Sequence, residues 1–194
     1  MSLSLKASLR QTLLSKRRAI LLDERQIAAR TAAQLFIKTA YFTDSQYIAC
    51  YFACDDEFDC LPIMKEIWRA NKKCYLPVLS LSGEKKLEFV NYQLDDPLQH
   101  NQYNIFEPVK REKISERTLD VVLMPLVAFD LAGNRLGMGA GYYDRAFEFV
   151  RKNALKKPYL IGLAYEQQQV NVLPFDSWDV PMDGVLTEKE LIIF

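Results

Sequence analysis

Residues Asp120 to Arg145 read DVVLMPLVAFDLAGNRLGMGAGYYDR, and this stretch sets the class of fold. Asp120 to Met124 is a continuous apolar run, the pattern of an interior strand in a parallel sheet, and Pro125 flanks it. A glycine-rich loop from Gly133 to Gly141 follows and leads into a helix expected from Tyr142 to Lys152. Gly137, Gly139 and Gly141 alternate just before that helix, so backbone amides can approach an anion closely. Arg135 stands at the mouth of the loop as a fixed positive charge able to fork onto phosphate. Asp144 falls in the first helical turn, a suitable place for a carboxylate holding magnesium beside phosphates. Arg145, in the same turn, is placed to neutralise either that carboxylate or a phosphate. No Gly-Lys-Ser/Thr follows, so this is not a Walker A loop, and the dinucleotide GxGxxG pattern with its distant acidic residue is missing too. The competing reading is a tight strand-to-helix turn whose glycines serve geometry alone. Arg135, the doubled tyrosine and Asp144 tell against it.

Outward from this stretch the chain alternates strands and helices. Leu5, Leu9, Leu13 with Leu14, and Ile20 with Leu21 recur at helical spacing. Asp23 is read as the N-cap of a second helix ending near Tyr41. Gln46 to Phe52 is rich in β-formers and reads as a buried strand, and Pro62 opens a helix to about Ala70. Strands are expected at Lys73 to Leu79 and Lys86 to Tyr92, with Ser82-Gly83 as the turn between them. Asp95 to Pro108 reads as loop, Tyr159 to Tyr165 as a strand and Gly184 to Thr187 as a short last one. The pattern is that of a three-layer α/β domain, with residues 1–194 forming a single domain.

Composition excludes several classes of function. Apolar residues make up 49% and charged residues 26% of the 194 residues, so a packed core is expected rather than disorder. The formal net charge of zero argues against a nucleic-acid binder that neutralises many phosphates. The longest apolar stretch, Val121 to Phe129, includes Pro125 and is far short of the roughly 20 residues of a membrane-crossing helix. The amphipathic N-terminus has no continuous apolar core like that of a signal peptide, so a cytoplasmic protein is expected. Cys50, Cys54, Cys60 and Cys74 match no paired zinc spacing, and the only histidine, His100, lies far off. They read as reduced, partly buried thiols.

The string GNRLGMGAGYYDR, Gly133 to Arg145, resembles the signature loop of the 5-formyltetrahydrofolate cyclo-ligase family, RLGxGxGYYD. Lys6-Ala-Ser-Leu-Arg10 is similar to that family's opening KxxLR, whose two bases meet ATP phosphates. Phe52 followed by Glu57 resembles its strand-end pair that contacts folate. Tyr103-Asn104-Ile105 with Glu107-Pro108 is similar to its loop over the pterin. Gly162-Leu163-Ala164-Tyr165 with Gln168, and Asp179-Val180-Pro181-Met182-Asp183, resemble its closing strand and metal-side segment. There are departures: Ala140 stands where members often carry a glycine or lysine, Met138 where an arginine can stand, and Tyr103 where the aromatic is often a tryptophan.

The resemblance implies a mostly parallel open sheet with helices on both faces. It also implies an enzyme that uses ATP and Mg²⁺ to cyclise 5-formyltetrahydrofolate to 5,10-methenyltetrahydrofolate, with a monomer as the expected state. Lys6, Arg10, Arg135, Leu136, Gly137, Met138, Gly139, Ala140, Gly141, Tyr142 and Tyr143 would contact ATP, with Arg135 and Lys6 acting on the reacting phosphate. Phe52, Glu57 and Tyr103 would hold the folate, joined by Met138 to Tyr142 of the loop. Asp144, with Asp179, would hold the metal. Two rivals are a folate- or nucleotide-binding relative without turnover, and another ATP-dependent transferase built on the same loop.

Overall fold

The computed structural model describes residues 2–80, 85–110, 112–152 and 158–194. Its helices are α1 (Ser2–Arg18), α2 (Leu22–Phe36), α3 (Ala40–Thr43), α4 (Leu61–Arg69) and α5 (Tyr142–Ala146). Its strands are β1 (Tyr47–Ala49), β2 (Lys73–Leu79), β3 (Leu87–Asn91), β4 (Leu98–His100), β5 (Phe106–Pro108), β6 (Lys113–Ile114), β7 (Val121–Pro125), β8 (Ala128–Phe129), β9 (Arg135–Leu136), β10 (Tyr159–Leu163), β11 (Gly184–Leu186) and β12 (Leu191–Ile193).

Eight strands form one sheet in the order β12-β11-β10-β7-β1-β2-β3-β6. The four central pairings, β11–β10, β10–β7, β7–β1 and β1–β2, are parallel. Antiparallel pairings add β12 at one edge, and β3 and β6 at the other. Side chains alternate between faces, and both faces are covered. Ile48, Val121 and Ile161 pack under α2 and α4 with Ala29, Phe36, Ile63 and Met64. Ala49, Val122 and Leu160 pack on the other side with Ala146 and Phe147. That is why β7 reads as an unbroken apolar run: neither face meets water. The architecture is three-layer α/β with a mostly parallel sheet.

Several elements differ from the expectations, each for a local reason. The residue before α2 is Leu21, in extended backbone. Its amide donates to the Glu24 carboxylate at 3.1 Å, so Asp23 sits inside the first turn and is not the N-cap. The helix stops at Phe36 rather than near Tyr41, because Thr39 breaks the run and its hydroxyl accepts from the Phe42 amide to cap α3. β1 covers three residues. After Cys50, whose amide donates to the Tyr75 carbonyl at 2.8 Å, the chain leaves the sheet, although Tyr51 and Phe52 are equally good strand formers. Asp95 to Pro108 is not all loop: β4 and β5 pair there as a hairpin. The helix expected to Lys152 ends as α5 at Ala146 and continues as a 3-10 turn over Glu148–Lys152. β12 follows what was expected to be the last strand. The Ser82-Gly83 turn lies outside the described residues.

Cys50, Cys60 and Cys74 are buried, Cys54 is half-buried, and all four are free. No helix among the described residues is long and apolar enough to cross a membrane.

Two features of this topology place the site. From β1 the chain crosses through α4 to β2 on one side, and later returns to β7 on the other side of β1. The direction of winding therefore reverses between β1 and β7, and a crevice opens at the carboxyl ends of those strands. Secondly, α1 does not pack on the main sheet. Leu13, with Leu9 and Leu14, rests on Val127, Ala128 and Leu136 of the β8–β9 ribbon. Arg17 fixes this docking by donating to the Asp56 carboxylate at 2.7 Å and to the Leu126 carbonyl at 3.1 Å. Both charges are nearly enclosed, so the pair is a positional lock between α1 and the loop after β1. The lock brings the far end of α1, with Lys6 and Arg10, over the crevice.

Candidate active site

The crevice is a cleft of about 740 Å³, a size usual for a small-molecule site. Its wall includes Lys6, Arg10, Phe52, Glu57, Tyr103, Arg135, every residue from Leu136 to Tyr143, Asp144 and Asp179. Segments more than a hundred residues apart in sequence thus meet at one place.

The loop before α5 is shaped by its glycines. Gly139 has φ +100° and Gly141 has φ +66°, a region that residues with a Cβ avoid. Added side chains would also intrude on neighbours: a Cβ at Gly139 would lie 3.4 Å from the Arg10 guanidinium carbon, and one at Gly141 3.1 Å from Arg145. Gly137 needs no such conformation, but its carbonyl accepts from Arg10 Nε at 2.7 Å. Arg10 therefore lies along the loop and ties it to α1.

The charges around the loop are paired within the protein. Arg135 does not stand free at the mouth: its side chain is 6% exposed and it donates to Asp144 at 2.5 Å and to the Val180 carbonyl. Lys6 meets carboxylates, Asp176 at 2.7 Å and Asp179 at 2.6 Å. Burial acts to lower the Lys6 pKa, but the two carboxylates outweigh it and hold the ammonium above its ordinary value. Arg145 does not pair with Asp144. It turns back to the Lys85 and Ala140 carbonyls at 2.6 and 2.8 Å, with its guanidinium 5.3 Å above the Tyr142 ring.

The cleft also has an aromatic pole. Phe52 meets Tyr92 and Phe106 edge-on, at 5.5 and 6.3 Å between centroids. Tyr103, 51% exposed, sits edge-on to Tyr142, and their hydroxyls are 3.0 Å apart. That contact joins the loop over the aromatic pole to the glycine loop. The Glu57 carboxyl accepts from the Cys54 amide at 3.0 Å. Burial nevertheless raises its pKa above the usual carboxylate range. Such a group suits a ligand that offers paired N–H donors in a dry pocket.

Sequence reasoning passed over Asn101, Asp176 and Trp178 of the cleft wall and gave Glu107 only as part of the loop. Asn101 and Glu107 shape the loop: Asn101 Oδ1 accepts from the Tyr103 and Ile105 amides, and its amide donates to buried Glu107. Asp176 and Trp178 flank the Lys6 contact. Asp176 and Lys6 are too far apart in sequence for spacing to suggest a pair, and a lone tryptophan carries no pattern. Asp183, expected with Asp179 on the metal side, accepts from the Leu160 amide at 2.7 Å and serves the sheet.

The residues present fit a magnesium ion. Asp144 Oδ1 is used by Arg135 and by the Val180 amide, the latter at 3.1 Å, which sets that carboxylate beside the residue following Asp179. Asp179 Oδ2 is used by Lys6 and the Asp176 amide. Each keeps a second carboxylate oxygen. Magnesium with phosphates usually takes one or two carboxylates and completes its octahedron with phosphate and water. No group of three or more potential ligands occurs among the described residues, so an all-protein cage is not what this cleft offers.

The chain matches the model of the 5-formyltetrahydrofolate cyclo-ligase family over residues 3–188. It is 34% identical to the 5-formyltetrahydrofolate cyclo-ligase of Escherichia coli K12 over 178 residues, covering 91% of this chain and 96% of that one. It is 42% identical to the Haemophilus influenzae protein of the same name over 142 residues, 72% of this chain and 74% of the other. Its fold matches the NMR structure of Aquifex aeolicus 5,10-methenyltetrahydrofolate synthetase with a TM-score of 0.83 and 31% identity, covering 97% and 92% of the two chains.

Proposed function

The chain belongs to the 5-formyltetrahydrofolate cyclo-ligase family and is an ATP-dependent ligase that closes 5-formyltetrahydrofolate to 5,10-methenyltetrahydrofolate, and from this premise we propose how its cleft divides the work. The observation that carries the division is the convergence of a charged pole and an aromatic pole in one cleft. Lys6, Arg10, Arg135 and the loop from Leu136 to Tyr143 bind the phosphates of ATP. Phe52 and Tyr103 sandwich the pterin, and Glu57 takes its polar edge. Met138 to Tyr142 lie between the two ligands, and Asp144 and Asp179 hold magnesium.

An N-formyl group is an amide, and resonance makes its carbon a poor electrophile. In the proposed reaction the formyl oxygen attacks the terminal phosphorus of ATP, forming an O–P bond while the bond to ADP breaks. N10 then attacks the activated carbon and loses its proton. The C–O bond breaks, inorganic phosphate departs, and the methenyl bridge remains. The protein supplies positioning and charge rather than a covalent intermediate. Arg135, held in a near-enclosed pocket, faces the charge that gathers on the transferring group. Lys6 reaches phosphate by giving up one of its two carboxylates, which leaves Asp179 available to the metal. Magnesium, when bound, neutralises charge on the phosphates it contacts.

Mixing the protein with 5-formyltetrahydrofolate, ATP and Mg²⁺ is expected to produce the methenyl chromophore together with ADP. Leaving out ATP or Mg²⁺ abolishes it. Equal product without ATP, or no product with everything present, rejects the assignment.

The aromatic pole has its own test. Tyr103→Ala weakens folate binding by about 1–3 kcal/mol if the ring stacks on the pterin, taking base–aromatic stacking as the analogue. ATP affinity stays unchanged. A parallel fall in both affinities would instead mean that the Tyr103–Tyr142 contact holds the whole mouth together.

A further inference from the structure

Trp178 is one of two tryptophans in the chain, and the two are treated differently. Trp68 is packed against Tyr92 and donates its indole N–H to the Tyr92 carbonyl at 3.2 Å. Trp178 lines the cleft and is 60% exposed. Its exposure is not that of a loose loop. The Asp179 amide donates to the Asp176 carbonyl at 2.9 Å, and the Asp176 amide returns to the Asp179 carboxylate at 2.9 Å. Arg151 holds the Ser177 carbonyl, Arg135 holds the Val180 carbonyl, and Lys6 bridges both aspartates. The turn is pinned on every side, yet a large aromatic face is left uncovered on it.

Its neighbours say what would cover it. Consecutive Cα atoms are about 3.8 Å apart, so the indole springs from a point one residue away from Asp179, which Lys6 touches. This is the charged pole of the cleft, the turn that Lys6 and Arg135 hold. A nucleotide whose phosphates meet Lys6 would have this indole beside its phosphate site, within reach of its base. We propose that Trp178 is the stacking platform for the nucleobase of ATP, an inference that rests on the reading of Lys6, Arg10 and the glycine loop as the phosphate site. An aromatic face recognises the π-face of a base and not its hydrogen-bonding edge, so the subsite accepts an aromatic base by area and leaves the phosphate contacts to the charged residues.

The test compares ATP with tripolyphosphate, which has the phosphates and no base, each as its magnesium complex. Binding is measured to the unsubstituted protein, Trp178→Ala and Trp178→Phe. ATP affinity is expected to fall roughly tenfold to a hundredfold in Trp178→Ala and less in Trp178→Phe, the range for losing one base–aromatic stack. Tripolyphosphate affinity stays the same in all three. Unchanged ATP affinity in Trp178→Ala overturns the proposal, as does an equal loss for both ligands, which would assign the effect to the turn and not to the ring. Failure of tripolyphosphate and ATP to bind the unsubstituted protein sinks the phosphate-site reading itself, a result distinct from either.

Discussion

Arg135→Ala lowers kcat by about 10²–10³-fold at saturating ATP and folate, the loss expected when one preorganised transition-state donor is removed. The expectation comes from where the side chain is held. Its guanidinium is 6% exposed and sits between Asp144 and the Val180 carbonyl, so protein groups fix its orientation. It also costs stability to remove, because the Val180 carbonyl loses a donor and Asp144 loses its cation. About 1–3 kcal/mol is typical of a partly buried polar group left unpaired, which in a chain of this size lowers Tm by several degrees. The two effects separate in Arg135→Lys, which keeps the charge but not the fork. Melting should recover most of the way, while kcat should not. Turnover within a few-fold of the unsubstituted enzyme in Arg135→Ala would return this arginine to a purely structural post.

How far the sequence foretold this arrangement depends on the range of the forces involved. β7 was legible because a strand covered on both faces has to be apolar at every position. β2 was legible from its β-forming, mostly buried run, and Lys73–Leu79 is found with the expected bounds. β1 was over-read. Nothing local separates Ala49 from Tyr51; the chain turns away there to form the wall of the cleft, and propensity cannot register that demand. β4 and β5 were missed because they are three residues each and hang on Glu107, whose carboxylate accepts from the Leu79 amide at 2.8 Å and from Asn101. The stop of α5 is tertiary too. Phe147 is driven into the core against Phe89 at 5.6 Å, and the regular helix gives way to a 3-10 turn.

In the cleft, the residues that a continuous motif carries could be named in advance, and those that resemblance supplied came from four other segments. What no spacing reveals is the pairing. Lys6 finds Asp176 and Asp179 across nearly the whole chain, Arg17 finds Asp56 through the docking of α1, and Arg145 turns to backbone carbonyls. Each is a long-range electrostatic choice made only after the layers have packed. Trp178 belongs with them, since its exposure is meaningful only once the turn beneath it is known to be fixed.

The second large effect is qualitative and decides the mechanism. Substrate carrying ¹⁸O in the formyl group is expected to yield inorganic phosphate that carries the label, because in the proposed route the formyl oxygen becomes one of the phosphate oxygens. The rival route uses ATP hydrolysis only to close the site and lets the formyl oxygen leave as water, and it needs a general acid near the carbon. Glu57 is equipped for that role: it lines the cleft, and burial holds its carboxyl above the usual range, so it keeps a proton to higher pH than an exposed glutamate. The sign is open to measurement. If Glu57 donates a proton, kcat falls as pH rises through its raised pKa, and Glu57→Gln abolishes turnover with the label absent from phosphate. If Glu57 only accepts from the pterin, its ionised form is the useful one. Folate binding then weakens as pH falls through that pKa, Glu57→Gln raises the folate KM more than it lowers kcat, and the phosphate is labelled. Unlabelled phosphate alongside full turnover would therefore refute the phosphorylated intermediate and move Glu57 from substrate holder to proton donor.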